Sequence, residues 1–301
     1  MSSIKESSQA RTGASQGLSA SRRAYNTGMR ALIYIAAAIV VVLLVFLLGY
    51  ILYRGLHNLT WEFLTSEESV VKDIQGIGPA ILNTLYVILA TLVVVLPLGV
   101  GAAIYLTEYA KNRRLVAAIE FATETLAGIP SIIYALVGVL IFAESLALGK
   151  TLIAGALTLV IMTLPTVIRT TQESLKTVPQ SYREGSLGLG SGKWHMIRTV
   201  VLPSSIDGIV TGCILSIGRI VGESAVLLYT VGMSMSMQDF FRNGLESFFS
   251  ASGSTLSVAL YVYAKVRADF DLAFSVAVVL IVITLVINLV AKLAGRGLKK
   301  N

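Results

Sequence analysis

The chain has 301 residues, of which 55% are hydrophobic and only 14% are charged. Its mean hydropathy of +0.77 excludes an ordinary water-soluble domain and predicts a protein surrounded mostly by lipid. The single cysteine, Cys213, cannot form an internal disulfide, and the two histidines, His57 and His195, are too far apart in sequence to indicate a metal site. No Lys- and Arg-rich patch with interleaved aromatic residues points to nucleic acid, so the net charge of +7 must be interpreted from its placement around apolar segments.

Residues 1–30 are polar and rich in serine, with five cationic side chains and one acidic one. Such a segment has too little apolar surface to fold, so we expect a disordered tail. A signal peptide is the alternative, because a basic stretch precedes an apolar run. That run is too long for a signal peptide and lacks an A-x-A-type cleavage site, which favours the tail.

Six apolar runs are long enough to cross a hydrocarbon core of about 30 Å as helices. Backbone polar groups find no partners in lipid, and the runs lack the alternation of a β-barrel, so the sequence predicts an all-α integral membrane protein with six transmembrane helices. The first predicted span is 31–53, and a core over 76–294 holds the other five. Those five correspond to the apolar runs 74–107, 125–143, 151–168, 206–231 and 272–291.

Positive charge is unevenly distributed among the connections between these spans. Of the 24 Lys and Arg residues, 17 lie in alternate connections that include both termini, 6 lie on the opposite side, and Arg219 lies inside a span. The positive-inside rule therefore predicts that both termini are cytoplasmic. The remaining boundaries are a cytoplasmic loop at 169–203, external loops at 54–75 and 236–271, and a cytoplasmic C-terminus at 295–301.

Two of the spans contain residues that disturb helices. Pro79 and Pro97 fall in the second span, and Gly128-Ile129-Pro130-Ser131 falls in the third. Proline removes a backbone hydrogen bond, so neither span is predicted to be a straight helix. Packing within the bundle and a hinge or pathway role are both consistent with these kinks.

The cytoplasmic loop reads E-G-S-L-G-L-G-S-G-K-W-H-M-I-R-T-V-V-L-P from Glu184 to Pro203. Its small residues would let another backbone approach closely, and Gly190-Ser191-Gly192 is a natural break between two short helices. A nucleotide-binding G-x-x-x-x-G-K-[ST] loop is excluded, because Leu187 occupies a glycine position, Trp194 occupies the Ser/Thr position, and no strand precedes the segment.

This stretch resembles the EAA motif of the permease subunits of ABC importers. In that family the loop forms a short coupling helix that docks on a cytoplasmic ATPase, whereas an ordinary solvated loop is the alternative. Two alanines of the motif are replaced here by residues that remain small. The resemblance implies an ATPase-coupling role for Glu184, Gly185, Ser186, Gly190, Leu202 and Pro203.

A wider resemblance covers about residues 76–235 and is to the permeases of phosphate-specific (Pst) ABC importers. The final segment, G-R-I-V-G-E-S-A-V-L-L from Gly218, is similar to the G-R-x-x-G-E-T-A-P-L-L of the PstA type more than to the PstC type. Ser224, Val226 and Ser257 depart from the usual threonine, proline and proline. The loop at 236–271 matches least. The other similar segments begin at Ile81, Pro97, Ala103 and Gly128.

Arg219 and Glu223 are charged residues within a predicted span, where a charge costs about 2.5–3.5 kcal/mol on insertion scales. Their spacing of four places them on one helix face, where they can pair, and Gly218 and Gly222 leave room for a neighbouring helix or a ligand. A structural ion pair is one interpretation. We predict instead a substrate pathway, because arginine's planar fork suits a tetrahedral oxyanion.

Glu120 and Glu124 lie one turn apart near the cytoplasmic start of the third span. We expect them to pair within the bundle or to reach the membrane surface rather than to line the pathway.

The Pst resemblance implies that this chain passes inorganic phosphate through the cytoplasmic (inner) membrane of a bacterium and is not itself an enzyme. The implied partners are a second, PstC-like permease, two copies of a PstB-like ATPase, and an external PstS-like binding protein. ATP and Mg²⁺ would be bound by the ATPase, and no cofactor is expected in this chain.

Three alternatives remain at this point. The cargo could be another oxyanion or small solute. An ion-driven secondary transporter would show inverted repeats with paired broken helices and would need no ATPase-docking loop. A membrane enzyme is disfavoured because no set of nucleophile, base and orienting residue is recognisable.

Overall fold

The structure is a computed structural model that describes residues 20–68, 75–233 and 250–300. Within these ranges every regular element is a helix, which confirms the predicted all-α class. The chain divides into two units, residues 1–51 and 52–301.

The first unit is dominated by one long helix, α1 (Ala20–Gly55). Most of its apolar side chains are exposed, as a lipid-facing surface requires. The predicted disordered tail over 1–30 is wrong for residues 20–30, which are helical, and residues 1–19 lie outside the described ranges. The apolar part of the helix favours helical geometry because every backbone group is bonded internally, and this preference continues into the polar residues before it.

The second unit contains the remaining helices, several of which continue as π-helical turns. A 3-10 turn, Leu56–Asn58, follows α1. The helices in chain order are α2 (Trp61–Thr65), α3 (Gly78–Ile104, continuing over Tyr105–Tyr109), α4 (Arg113–Ala127), α5 (Ser131–Gly138, continuing over Val139–Ser145), α6 (Leu152–Thr177), α7 (Gln180–Gly188), α8 (Lys193–Met196, continuing over Ile197–Val201), α9 (Leu202–Gly222), α10 (Ala225–Thr230), α11 (Leu256–Tyr261, continuing over Val262–Val266) and α12 (Phe270–Lys300).

Five segments of the described residues are long and apolar enough to cross a membrane. They are Ala24–Asn58, Gly78–Tyr109, Leu152–Thr177, Lys193–Gly222 and Phe270–Gly297. The predicted third span is instead a bent pair, α4 and α5, whose axes meet at 98°. Gly128 and Pro130 lie at the bend, where the sequence predicted a disturbed helix.

Contacts at the end of α3 show that this bent pair is one crossing. Glu108, in the last turn of α3, forms an ion pair with Arg183, a few residues beyond the end of α6. The ends of α3 and α6 therefore lie at the same membrane face. Because α6 itself crosses, the chain between them must cross once more. With α1 this count gives six crossings in the described residues, the upper end of the five to six that helix length and composition allow.

The predicted span over 206–231 is wrong in its boundaries. The helix begins at Lys193 and ends at Gly222, and Glu223 has an extended backbone with φ −83° and ψ 106° before α10 starts. Similarly, α6 continues through polar residues to Thr177. Hydropathy reports the lipid-facing part of a helix and not its hydrogen-bonded ends, which explains both differences.

The main core lies where α3, α6, α9 and α11 meet. Its fully buried side chains include Ile88, Met162 and Ile217. Small residues allow the close approach of these helices: a Cβ added at Gly99 on α3 would collide with the Val167 side chain on α6. Such small-residue contacts are typical of helix packing in membranes.

Candidate coupling surface and substrate pathway

The predicted coupling loop folds into α7, a tight turn and α8. Gly190 forms the turn with φ +85°, a conformation that favours glycine. The turn is closed by Ser191, whose hydroxyl donates to the Ser186 carbonyl at 2.7 Å and lies 2.7 Å from the Ser186 hydroxyl. Helix α7 ends at Gly188, and Gly190 lies in the turn between α7 and α8, where the sequence predicted a break.

One surface of this loop is open. Glu184 and Gly185 are exposed, and a Cβ added at Gly185 would meet nothing within 4 Å. Leu189 and Trp194 are 91% and 58% exposed. Large apolar side chains beside small residues on a polar loop are typical of a surface that another protein covers.

The closing Leu-Pro of the motif lies apart from this open surface. Leu202 is half-buried and packs against a small core, whereas Pro203 is exposed and lies just after the π-helical turn Ile197–Val201, inside the continuous helix from Lys193 to Gly222. The structure thus brings together Glu184, Gly185, Ser186 and Gly190 but gives Leu202 and Pro203 positions on a different helix.

The underside of α7 is held by a charged contact that the sequence did not reveal. Arg183 donates from Nη2 and Nε to Glu108 Oε1 at 2.9 and 3.1 Å. The same guanidinium donates to the carbonyls of Leu175, at 2.8 Å, and Val178. The side chains of Arg183 and Glu108 are only 12% and 6% exposed. In this geometry arginine's planar fork joins three segments at once.

A small core surrounds this contact. It joins the end of α3, the end of α6 and the segment from α8 to α9, through Ala103, Ile104, Leu175, Val178, Met196, Ile197 and Val201. Lys193 adds a hydrogen bond to the Glu108 carbonyl, and its ammonium lies 5.0 Å from the centre of the Tyr109 ring. The coupling loop is therefore fixed to α3 by both apolar and charged contacts.

The ion pair between Arg219 and Glu223, which their spacing allowed as one interpretation, is not formed. Arg219 lies in the last turn of α9, but the helix ends at Gly222, so the helical spacing of four does not extend to Glu223. Glu223 instead accepts a hydrogen bond from the Val226 N–H at 3.3 Å, at the start of α10. Among the described residues no ion pair joins the two charges, and both are half-buried.

Three hydrogen bonds, two of them buried, hold the helix break at Glu223. Ser257 donates to the Glu223 carbonyl at 3.0 Å. The segment before α11 is held in turn by α3, because Thr84 accepts from the Leu256 N–H at 2.9 Å and Asn83 donates to the Ser254 carbonyl at 3.0 Å. Asn83 and Thr84 belong to a segment with Pst resemblance, yet no sequence pattern assigned them this role.

A cavity of about 360 Å³ lies beside the break. The room predicted beside Gly218 and Gly222 is present, since a Cβ added at either would meet nothing within 4 Å. Arg219 and Glu223 are not among the residues that line it. The lining is mostly apolar, with three hydroxyls, and consists of Gly218, Val221, Gly222, Ser224, Ser257, Leu260, Leu280, Ile281, Thr284 and Leu285.

Glu120 and Glu124 pair within the bundle, as expected. Glu120 Oε1 accepts hydrogen bonds from Gln172 and Lys176, each at 3.2 Å, and Glu124 lies 3.4 Å from Arg169. The Glu124–Arg169 pair is more than half exposed and the Glu120–Lys176 pair is partly exposed, so solvent screening keeps both ion pairs weak.

At the opposite face of the unit, Glu68 and Arg267 form an ion pair that joins two predicted external loops. The hydrogen bond to Glu68 raises the pKa of Arg267. Burial raises the pKa of Tyr263 to about 12, and the nearby Glu68 carboxylate acts in the same direction. Residues 69–74 and 234–249 of these loops lie outside the described ranges, so the predicted loops at 54–75 and 236–271 are described only in part.

Several long apolar helices joined to a loop that carries the motif are the features of a multi-pass membrane permease of the ABC importer class. The chain belongs to the family of binding-protein-dependent transport system inner membrane components, whose profile matches residues 95–300. Membership implies an ATPase, a substrate-binding protein and a second permease as partners. The ion-driven secondary transporter considered above is thereby excluded.

Curated relatives refine this assignment. The chain is 37% identical to the probable ABC transporter permease protein YqgI of Bacillus subtilis, over 71% of this chain and 72% of the relative. It is 34% identical to the phosphate transport system permease protein PstA 1 of Mycobacterium tuberculosis, over 75% of this chain and 76% of the relative. Haemophilus influenzae PstA is 30% identical over 81% and 83%. The predicted PstA type is confirmed.

Solved structures agree in fold. A bacterial alginate ABC transporter in complex with an alginate pentasaccharide-bound periplasmic protein matches with a TM-score of 0.63, at 15% identity, over 93% of this chain and 99% of that one. An inward-facing MetNI methionine ABC transporter matches with a TM-score of 0.56, at 22% identity, over 74% and 94%.

Proposed function

We propose that this chain is the permease subunit of an ATP-driven importer that moves inorganic phosphate across the bacterial cytoplasmic membrane. The observation that carries the proposal is the similarity to phosphate transport permeases over about three quarters of the chain. The chain itself does not catalyse a reaction. Both termini and the coupling loop face the cytoplasm, where 17 of the 24 cationic residues lie.

The proposed partners are a PstC-like permease, which supplies the other half of the pathway, two PstB-like ATPase copies and an external PstS-like binding protein. The ATPases bind ATP and Mg²⁺, and this chain needs no cofactor. Docking uses the open surface of the coupling loop, including Glu184, Gly185, Ser186 and Gly190. ATP changes the side of the membrane to which the pathway opens, because the docked ATPase binds one conformation of the permease more tightly than the other.

Arg219 is the residue that we assign to phosphate. It is half-buried at the end of α9, next to the helix break at Glu223, and its guanidinium can donate two parallel hydrogen bonds to an oxyanion. It lacks an ion pair with Glu223, so its charge is not neutralised from that side. The Glu223 carboxylate accepts a hydrogen bond from the Val226 N–H, which stabilises the helix break. Arg219 is thereby left accessible to an anion that passes the break.

Uptake of labelled phosphate tests this function. The complete complex is reconstituted in vesicles, and ATP-dependent uptake is measured with and without this chain and in competition with arsenate and sulfate. We expect uptake only with the chain present and competition strongest from arsenate, which has the same shape and charge. Uptake of sulfate but not phosphate would contradict the cargo assignment, and no co-purifying ATPase would contradict the importer assignment.

Replacement of Arg219 tests the pathway. We expect Arg219→Gln to reduce phosphate uptake by at least about ten-fold, the factor that 1.4 kcal/mol represents, while the complex still assembles. The matched control is Arg113→Gln, because Arg113 is an exposed cation on α4 and its loss should leave uptake unchanged. Normal uptake by an assembled Arg219→Gln complex would exclude this role.

A further inference from the structure

The coupling helix α7 has an inner side as well as the open side that faces a partner. Arg183 is on the inner side and is nearly buried, whereas Glu184 and Gly185, its neighbours in sequence, are exposed. A protein that binds the open side therefore leaves Arg183 in contact with the membrane-spanning part of the chain. Arg183 is not one of the motif residues to which the docking role is assigned.

The contact that Arg183 makes is directed at α3. Both of its hydrogen bonds to Glu108 go to one carboxylate oxygen, and its other donors bind the Leu175 and Val178 carbonyls at the end of α6. Removal of the carboxylate would leave a nearly buried guanidinium without its counter-charge, which is strongly unfavourable. By contrast, Arg169 and Glu173 on α6 form an ion pair with both side chains more than half exposed.

Helix α3 connects this contact with the break at Glu223. Its last turn carries Glu108, and its first turns carry Asn83 and Thr84, which hold the segment bonded to Glu223. With a rise of about 1.5 Å per residue, α3 spans most of the membrane between these points. A displacement of its cytoplasmic end therefore reaches the helix break at Glu223 through one continuous element and three hydrogen bonds.

We propose that the Glu108–Arg183 ion pair is a positioning contact that makes α3 move with α7 when the docked ATPase changes conformation. The inference rests on the proposed function, since it requires an ATPase on the open side of α7. It assigns to Glu108 and Arg183 a role in coupling ATP hydrolysis to transport, and neither residue contacts the substrate. A purely structural role would lower hydrolysis and uptake together.

The ratio of phosphate uptake to ATP hydrolysis distinguishes the two roles. In vesicles with the complete complex, we expect Glu108→Gln to retain hydrolysis and ATPase binding but to lower this ratio by at least about five-fold, the lower end of ordinary coupling between sites. The matched control is Glu173→Gln, which breaks an exposed pair at the same face and should leave the ratio unchanged. An unchanged ratio in Glu108→Gln overturns the proposal.

Two further variants keep the test decisive if Glu108→Gln does not assemble. Arg183→Lys keeps the charge but cannot bind the carboxylate and both carbonyls together, so the ratio should again fall. The exchange of both residues, Glu108→Arg with Arg183→Glu, restores opposite charges and should recover part of the ratio relative to either single reversal. A ratio equal to that of the unmodified complex in Arg183→Lys would count against the proposal.

A readout that does not depend on the cargo separates this inference from the proposed function. Spin labels are placed at Lys111→Cys, just after α3, and at Lys150→Cys, just before α6, in a Cys213→Ser background. We expect ATP to shift the distance between them in the otherwise unmodified complex, and the shift to be lost in Glu108→Gln while ATPase stays bound. An equal shift in both, or none in either, overturns the inference, whereas absent phosphate uptake would concern the cargo alone.

Discussion

At the scale of single residues, glycines with identical chemistry have opposite surroundings. A Cβ added at Gly138 on α5 would collide with the Thr158 side chain on α6, so this glycine permits close helix packing. Gly185 on α7 has open space around it. The same substitution should therefore have opposite effects at the two sites.

We expect Gly138→Ala to destabilise the protein by about 1–3 kcal/mol, as overpacking usually does. Gly185→Ala should be neutral or stabilising by up to about 1 kcal/mol, because alanine loses less conformational freedom in a helix and meets no neighbour. Thermal unfolding of the purified chain in detergent measures both. Similar midpoints for the two variants would show that α5 and α6 are not packed as described.

Glu223 offers a second prediction at this scale, because its carboxylate binds the Val226 N–H. Glu223→Gln keeps an oxygen acceptor at that position, whereas Glu223→Ala removes it. We expect the alanine variant to be less stable than the glutamine variant by about 1 kcal/mol, the usual net contribution of one hydrogen bond. Unfolding midpoints compared in the same detergent test this, and equal midpoints would argue against the capping contact.

At the scale of elements, the bend between α4 and α5 is supported by a side chain across it. The Tyr134 hydroxyl on α5 donates to the Leu126 carbonyl on α4 at 2.7 Å, and this carbonyl also accepts from the Ile129 N–H at 3.1 Å. Gly128 and Pro130 end and restart the helix, and Tyr134 stabilises the resulting angle.

Removal of this hydroxyl should loosen the bend without changing the apolar packing. We expect Tyr134→Phe to destabilise by about 0.5–1.5 kcal/mol and to speed hydrogen exchange of the amides around residues 126–131. Tyr105→Phe is the control, since the Tyr105 ring is half exposed at the end of α3. If exchange around the bend responds equally to both substitutions, the hydrogen bond does not support it.

These elements also show what the sequence could predict. Hydropathy located the spans, and glycine with proline located the bend at 128–130, because both signals are local. The end of α9 at Gly222 was missed, since Arg219 and Glu223 have the spacing of one helix face, and the contact that Ser257 makes at the break comes from a distant part of the chain. Glu108 and Arg183 are 75 residues apart, and no periodic pattern connects charges over that distance.

At the scale of the whole molecule, the contact between the ends of α3 and α6 restricts the topology. If the bent pair α4–α5 crosses the membrane, Lys150, which precedes α6, lies on the face opposite to Ser181 in the coupling loop. If the pair instead enters and leaves at one face, α6 starts at the face where α3 ends and finishes at the opposite face. Ser181 would then lie across the membrane from Glu108, which the Glu108–Arg183 contact does not allow.

Cysteine accessibility tests this arrangement directly, because Cys213 is the single cysteine of the chain. In a Cys213→Ser background, we expect a membrane-impermeant maleimide to label Glu62→Cys and Lys150→Cys on intact cells. Ser181→Cys should be labelled only after permeabilisation, because most cationic residues lie on its side and the positive-inside rule places that side in the cytoplasm. All three positions are exposed in the chain, so its own fold does not hinder the reaction. Labelling of Lys150→Cys together with Ser181→Cys would mean that α4 and α5 do not form a crossing, and it would refute the six-span topology.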